Sequence, residues 1–142
     1  MTRAQLVAFL GRHRLGVLAS VAAGGAPQAA VVGVAVSADL ELVFDTLGST
    51  RKAANLRRDG RAALVIGWDE EQTVQLEGIA DEPAGAELAR LKQVYFAAFP
   101  DGPTRESWPG ITYFRVRPTW VRYSDFRGAE PVIVEMTVEL AP

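Results

Sequence analysis

Residues 40–66, LELVFDTLGSTRKAANLRRDGRAALVI, decide the fold. Leu40, Leu42 and Phe44 alternate with Glu41, Val43 and Asp45, which is the pattern of a half-buried antiparallel strand. Leu47 and Gly48 make a turn, Ser49 or Thr50 can cap a helix of about two turns over TRKAANLRR, and Asp59-Gly60 closes it. RAALVIGW then reads as a short, nearly continuous apolar strand. A parallel crossover needs a connection of a dozen or more residues, so the short links of this chain favour antiparallel pairing.

The flanks extend the same pattern. TRAQLVAFLGRHR reads as an amphipathic helix with Leu6, Phe9 and Leu10 at helical spacing, Thr2 as N-cap and Gly11 near its stop. LGVLASVA and QAAVVGVAVS face each other across the breaker GGAP at 24–27, as a hairpin would. QTVQLEGIADE alternates again, with Val74, Leu76, Gly78 and Ala80 on one side. A second helix is expected from Pro83 to Phe99, because Leu88, Leu91, Tyr95 and Phe99 keep helical spacing; PDGP at 100–103 ends it. ITYFRVRP and TWVRYSDF are expected to form a strand pair broken at Pro118, and PVIVEMTVEL can add an edge strand. The sum is a single mainly β domain over residues 1–142 with a few helices, six to seven strands and an antiparallel, closed or partly closed barrel.

Composition narrows the chemistry. A net charge of −2 over 142 residues opposes a general nucleic-acid-coating role, whose domain would be strongly basic. No apolar run is long enough for a membrane span, and the N-terminus lacks the pattern of a secretory leader, which suits a cytoplasmic protein. There is no cysteine and one histidine, His13, so thiol catalysis and iron–sulfur clusters are excluded, and no metal site is expected. Redox chemistry in this chain would have to borrow a cofactor.

Five basic side chains and one acid fall within residues 46–66, and they divide into two groups. Arg57, Arg58 and Arg61 lie at the C-terminal end of the helix, where cations complement its dipole. Arg51 and Lys52 stand in the first turn, where the dipole disfavours cations unless an anion compensates them. With the free N–H groups of that turn and the hydroxyls of Thr46, Ser49 and Thr50, they form a candidate phosphate grip. A capped surface helix with solvated cations is the alternative; a nucleic-acid patch would need interleaved aromatics, and none lies between Phe44 and Trp68. Gly33, inside VVGVAV, marks either a bulge or the approach of a flat ligand to the backbone. Trp108, Tyr113, Trp120 and Tyr123 read as core or interface residues, Asp69-Glu70-Glu71 as a solvated turn, and no nucleophile–base constellation is discernible.

The order strand, Gly-Pro turn, strand, VFDTLGSTRKAANLRRDGRAALVI, then a strand ending in Gly resembles the pyridoxamine 5'-phosphate oxidase-like family of FMN-binding split β-barrels, from about Leu15 to about Asp125. The match is carried by Thr46, Thr50-Arg51-Lys52 and Asp59-Gly60-Arg61-Ala62-Ala63-Leu64, with FRVRP and VRYSDF like the family's closing strands. The resemblance implies a homodimer with the flavin at its interface. Thr46, Thr50, Arg51 and Lys52 would bind the FMN phosphate, and Val32, Gly33 and Val34 would pass along the isoalloxazine ring. Asp45 would sit beside the ring, and Thr73, or its neighbour Gln72, would reach the cofactor. Ala30 and Ala35 stand where the true oxidases carry basic residues, and Ser124 where they carry a tryptophan. The expectation is therefore a flavin-dependent reductase or oxidase acting on a small molecule rather than a pyridoxamine phosphate oxidase proper, with no side chain named as catalyst. A deazaflavin coenzyme in place of FMN, and a non-catalytic flavin-binding module, are the alternatives.

Overall fold

The structure, a computed structural model, describes residues 1–139; Leu140, the last residue of the tail read as an edge strand, lies outside them with Ala141 and Pro142. Helix α1 (Arg3–Arg12) begins with a capping box, in which Thr2 Oγ1 accepts from the Gln5 N–H and the Gln5 side chain accepts from the Thr2 N–H. Its Leu6, Phe9 and Leu10 are buried, as their spacing predicts. There follow β1 (Leu15–Val21), β2 (Pro27–Gly33), β3 (Ala35–Val36), β4 (Leu42–Leu47), α2 (Arg51–Arg58), β5 (Arg61–Ile66), β6 (Gln72–Asp81), α3 (Gly85–Ala98), α4 (Gly102–Arg105), β7 (Ile111–Asp125) and β8 (Val132–Thr137).

Seven strands form one antiparallel path, β2-β1-β5-β6-β7-β4-β3, and β8 pairs with β7 beside it. The expected run QAAVVGVAVS splits at Val34 into the two strands that end this path, so the same stretch of chain supplies both edges. The sheet therefore curls round a core of Leu18, Val32, Leu42, Phe44, Leu64 and Val74, with α1 packed against it. Beyond this junction β2 and β4 approach each other without pairing, and the barrel is split there.

Three expectations are corrected. The last strand pair is a single 15-residue strand that runs through Pro118. Glu77 pairs with Trp120 while Gly78 pairs with Pro118, so Thr119 is an extra residue in a bulge and the missing Pro118 N–H interrupts no regular ladder. Gly78 is required opposite, since a Cβ there would stand 2.4 Å from the Arg117 carbonyl oxygen. Second, β4 is buried on both faces: Val43 is fully enclosed in a second cluster with Leu91, Tyr95 and Tyr113, because α3 covers the face that alternation left to water. Third, α3 spans a shorter range than Pro83–Phe99, and PDGP starts the single turn of α4.

Glu41, just before β4 on that same side, is held by charge. Glu41 receives both guanidinium nitrogens of Arg90 at 2.9 Å, the Ser37 hydroxyl at 2.9 Å and Arg115 Nη1 at 3.1 Å. Arg115, almost fully buried, also donates to both carboxylate oxygens of Asp81. The Arg90 hydrogen bonds lead in holding the Glu41 carboxyl down at about 2.

Candidate functional site

The N-terminus of α2 faces the split between β4 and β2. Thr50 is its N-cap, accepting from the Ala53 N–H at 3.3 Å. The Thr50 hydroxyl donates its proton to the Leu47 carbonyl at 2.9 Å, so the 3.1 Å contact with Thr46 Oγ1 must be a bond donated by Thr46. Both threonine protons are thus committed within the turn, and the two hydroxyls build the corner rather than facing a ligand as donors. The remaining donors are the Ser49 hydroxyl, the backbone N–H groups of the first helical turn, and the side chains of Arg51 and Lys52.

Arg51 and Lys52 make no ion pair with any described residue. They line one wall of a cleft of about 290 Å³ whose other wall is Leu18 and Ser20 of β1 with Gln28, Ala29 and Ala30 of β2. β2 pairs only with β1, so its opposite edge presents unpaired backbone groups along the split. The basic residues at the far end of the helix are engaged otherwise. Arg57 donates to both oxygens of Glu82 at 2.6 and 2.9 Å and to the Gly48 carbonyl at 3.1 Å, Arg58 reaches the Val21 carbonyl, and Arg61 pairs with Asp59. The division of the basic stretch into a free front pair and a paired rear group is therefore present in three dimensions.

The other expected site residues lie as follows. Val32 and Val34 point into the core, which leaves only their backbone for a ligand. Gly33 turns its open side to the Phe99 ring, and Phe99 stacks on Tyr95 with ring centroids 4.8 Å apart. The flat group over Gly33 is thus a side chain of this chain. Asp45 points away from the split and is fixed by the Tyr95 hydroxyl at 3.0 Å and Arg105 Nε at 2.9 Å. Burial, with the charge of Asp45 beside it, pushes the Tyr95 hydroxyl up to about 12. Thr73, on β6, pairs with Ser124 of β7, and β6 lies three strands from β2 along the sheet. Gln72 is buried and accepts from the Tyr123 hydroxyl at 2.8 Å. Within one chain, then, Arg51 and Lys52 line the cleft and Thr46 and Thr50 build the turn that leads into them, while Asp45 and Thr73 are not among the residues that line it.

Three residues at the cleft escape sequence reading. Asn55, on the buried side of α2, donates from Nδ2 to Ser20 Oγ at 3.0 Å and to Gln28 Oε1 at 2.6 Å. A polar side chain on the apolar stripe of a helix, between Ala53 and Leu56, was the available signal, because such a group must find partners.

A second surface lies on the outside of the curl. Ala19, Ala63, Ile79 and Thr119 line a shallow depression of about 470 Å³ across β1, β5, β6 and β7. Beside it lie Val17, Val65 and Trp120, with Gln75 and Glu77 of β6 among them, and Ile79 is 43% exposed. No described helix is long and apolar enough to cross a membrane, and no group of histidine and acidic side chains that could hold a metal occurs among the described residues.

The family described as pyridoxamine 5'-phosphate oxidase matches residues 2–125 of the chain. No curated protein matches it. Among solved structures, the heme binding protein from Mycobacterium smegmatis is similar over 96% of this chain and 58% of its own, with 21% identity and a TM-score of 0.82. A conserved hypothetical protein from Mycobacterium tuberculosis is 25% identical over 89% of this chain and 86% of its own, with a TM-score of 0.74. General Stress Protein 26 from Bacillus anthracis is 16% identical over 94% of this chain and 98% of its own, with a TM-score of 0.70. The chain thus spans little more than half the length of the first of these.

Proposed function

Because the chain belongs to the pyridoxamine 5'-phosphate oxidase family, we propose that it holds FMN in the cleft at the start of α2 and works as a flavin-dependent oxidoreductase on a small molecule. The observation that carries this reading is the pair Arg51 and Lys52, two cations at the positive end of a helix with no described carboxylate to compensate them. A phosphate supplies that compensation. The flavin, when bound, supplies hydride or electron transfer; the chain supplies the anchor, the orientation and the exclusion of water. The unpaired edge of β2 offers backbone donors and acceptors to a planar heterocycle lying in the split, with no side chain needed for them.

The protein would act as a homodimer in the cytoplasm, with the largely apolar outer face of β1 and β5 covered by a second copy and the flavin at the edge of that interface. Support for the dimer comes from Val17, Ala63, Val65 and Trp120, which a single copy leaves partly open. A haem reading draws on the likeness to the M. smegmatis protein. It gains little from His13, whose Nε2 is buried without a partner and whose Nδ1 lies 3.8 Å from Asp69.

Titration of the purified protein with FMN, followed by quenching of flavin fluorescence, tests the reading. Saturable binding with a yellow complex is expected. A colourless protein that takes up no FMN refutes it. Tighter binding of a deazaflavin in competition would assign that coenzyme instead, and binding without turnover by NAD(P)H and an electron acceptor would make the protein a carrier or sensor.

A further inference from the structure

The wall of the cleft opposite Arg51 and Lys52 has one long polar side chain, Gln28; its neighbours Ala29 and Ala30 bring none. Its orientation follows from a chain of hydrogen bonds that can run in only one direction. Arg58 has donors and no acceptors. Its Nη2 lies 3.3 Å from Asn55 Oδ1, so the oxygen of Asn55 must face Arg58 and its amide nitrogen must face the other way. That nitrogen donates to Ser20 Oγ and to Gln28, so Gln28 presents its oxygen to Asn55. The Gln28 Nε2, with two protons, is left without a bond to any described residue, at the lip of a cleft lined by two cations.

We infer that the Gln28 carboxamide is a ligand-binding group: it donates from Nε2 to the phosphate held by Arg51 and Lys52, and Asn55 and Arg58 are positioning residues that aim it. This rests on the assignment of the cleft to a phosphorylated flavin. A neutral amide suits the place, because two cations already balance the charge of a phosphate monoester, and a donor adds directionality without a further charge. Asn55 is buried inside α2, so the same helix that carries the cations also sets the amide across from them.

Two variants test this, Gln28→Glu and Gln28→Ala. The first keeps an oxygen toward Asn55 Nδ2 and nearly the same shape, but replaces the free donor by a carboxylate oxygen; the second removes the donor without adding charge. FMN affinity, read from flavin fluorescence, should fall about tenfold or more in Gln28→Glu and less in Gln28→Ala, as loss and reversal of a hydrogen bond to a charged group require. The new carboxylate of Gln28→Glu also repels a phosphate directly, so Gln28→Ala decides: if Gln28 merely braces Asn55, Gln28→Ala loses stability but binds FMN like the parent, and that result overturns the inference. The variant Arg51→Ala/Lys52→Ala keeps the two failures apart. Weaker FMN binding there together with an unaffected Gln28→Ala refutes the role of Gln28 alone. Unchanged FMN binding in all three variants refutes the phosphate site itself.

Discussion

The Phe99 ring stands 3.0 Å from where a Cβ on Gly33 would be, so the end of α3 is seated directly on the β2 backbone. Gly33→Ala should therefore cost about 1 kcal/mol, since the ring must give way by a few tenths of an ångström against Tyr95. Chemical denaturation measures this. The cost should shrink in a Phe99→Leu background, because the two sites share one contact; equal costs in both backgrounds would show that Phe99 is not the obstacle.

Thr50→Ala removes the acceptor for the Ala53 N–H and the partner of Thr46. A loss of about 1 kcal/mol is expected. FMN affinity should fall as well, through fraying of the first turn of α2, and Thr50→Ser should restore both. Failure of the serine to restore stability would count against the capping role.

In the Arg51→Ala/Lys52→Ala variant the fold should persist within about 0.5 kcal/mol, since neither side chain is paired with a described residue. FMN binding should weaken by about tenfold or more, as expected for lost charge-assisted contacts. Riboflavin, which lacks the phosphate, should bind both proteins alike.

Glu41 controls part of the acid limb of stability. Its carboxyl is held at about 2 against an ordinary 4.5, chiefly by Arg90. A depressed carboxyl contributes stability that is fully present above the ordinary value and is lost as pH falls from there through the lowered one. The loss between about pH 4.5 and pH 2 should be on the order of 3 kcal/mol, and Glu41→Gln should flatten that limb while lowering stability near neutrality. A parallel acid limb in the variant would assign the acid sensitivity to other groups.

Ala63→Arg places a long charged group in the middle of the outer β1-β5-β6 face without touching the core. The variant should be monomeric by light scattering where the parent is a dimer, with FMN affinity reduced if the partner completes the cofactor site. A variant that remains dimeric would put the interface elsewhere.

Local features of this chain were legible in its sequence, and long-range ones were not. The Thr2 cap, the α2 boundaries and the alternation of Val74, Leu76, Gly78 and Ala80 all depend on neighbours a few residues away, and each is present. Pro118 misled because the sequence shows a missing donor but not the bulge that makes the donor unnecessary. Val43 looked half-exposed because the helix that covers it lies some fifty residues downstream. The front pair of cations was visible as an electrostatic anomaly; the bonds among Asn55, Ser20 and Gln28 span 27 and 35 residues and leave no local trace. Asp45 shows the same limit, since Arg105 stands sixty positions away.

The two ends of the hydrogen-bonded path meet at Val34, and this has a kinetic consequence. The β2-β1 hairpin and its ladder to β5 join residues of modest separation, whereas β4, beyond its short local pairing with β3, is joined to the rest of the sheet only when β7 arrives, from Leu42 to Val116. Non-local ladders form late because their loop entropy must first be overcome. Thr46 and the approach to Arg51 hang on that last ladder, so a refolding chain should regain its secondary structure before it can quench flavin fluorescence, and the lag between the two signals would time the closing of the sheet.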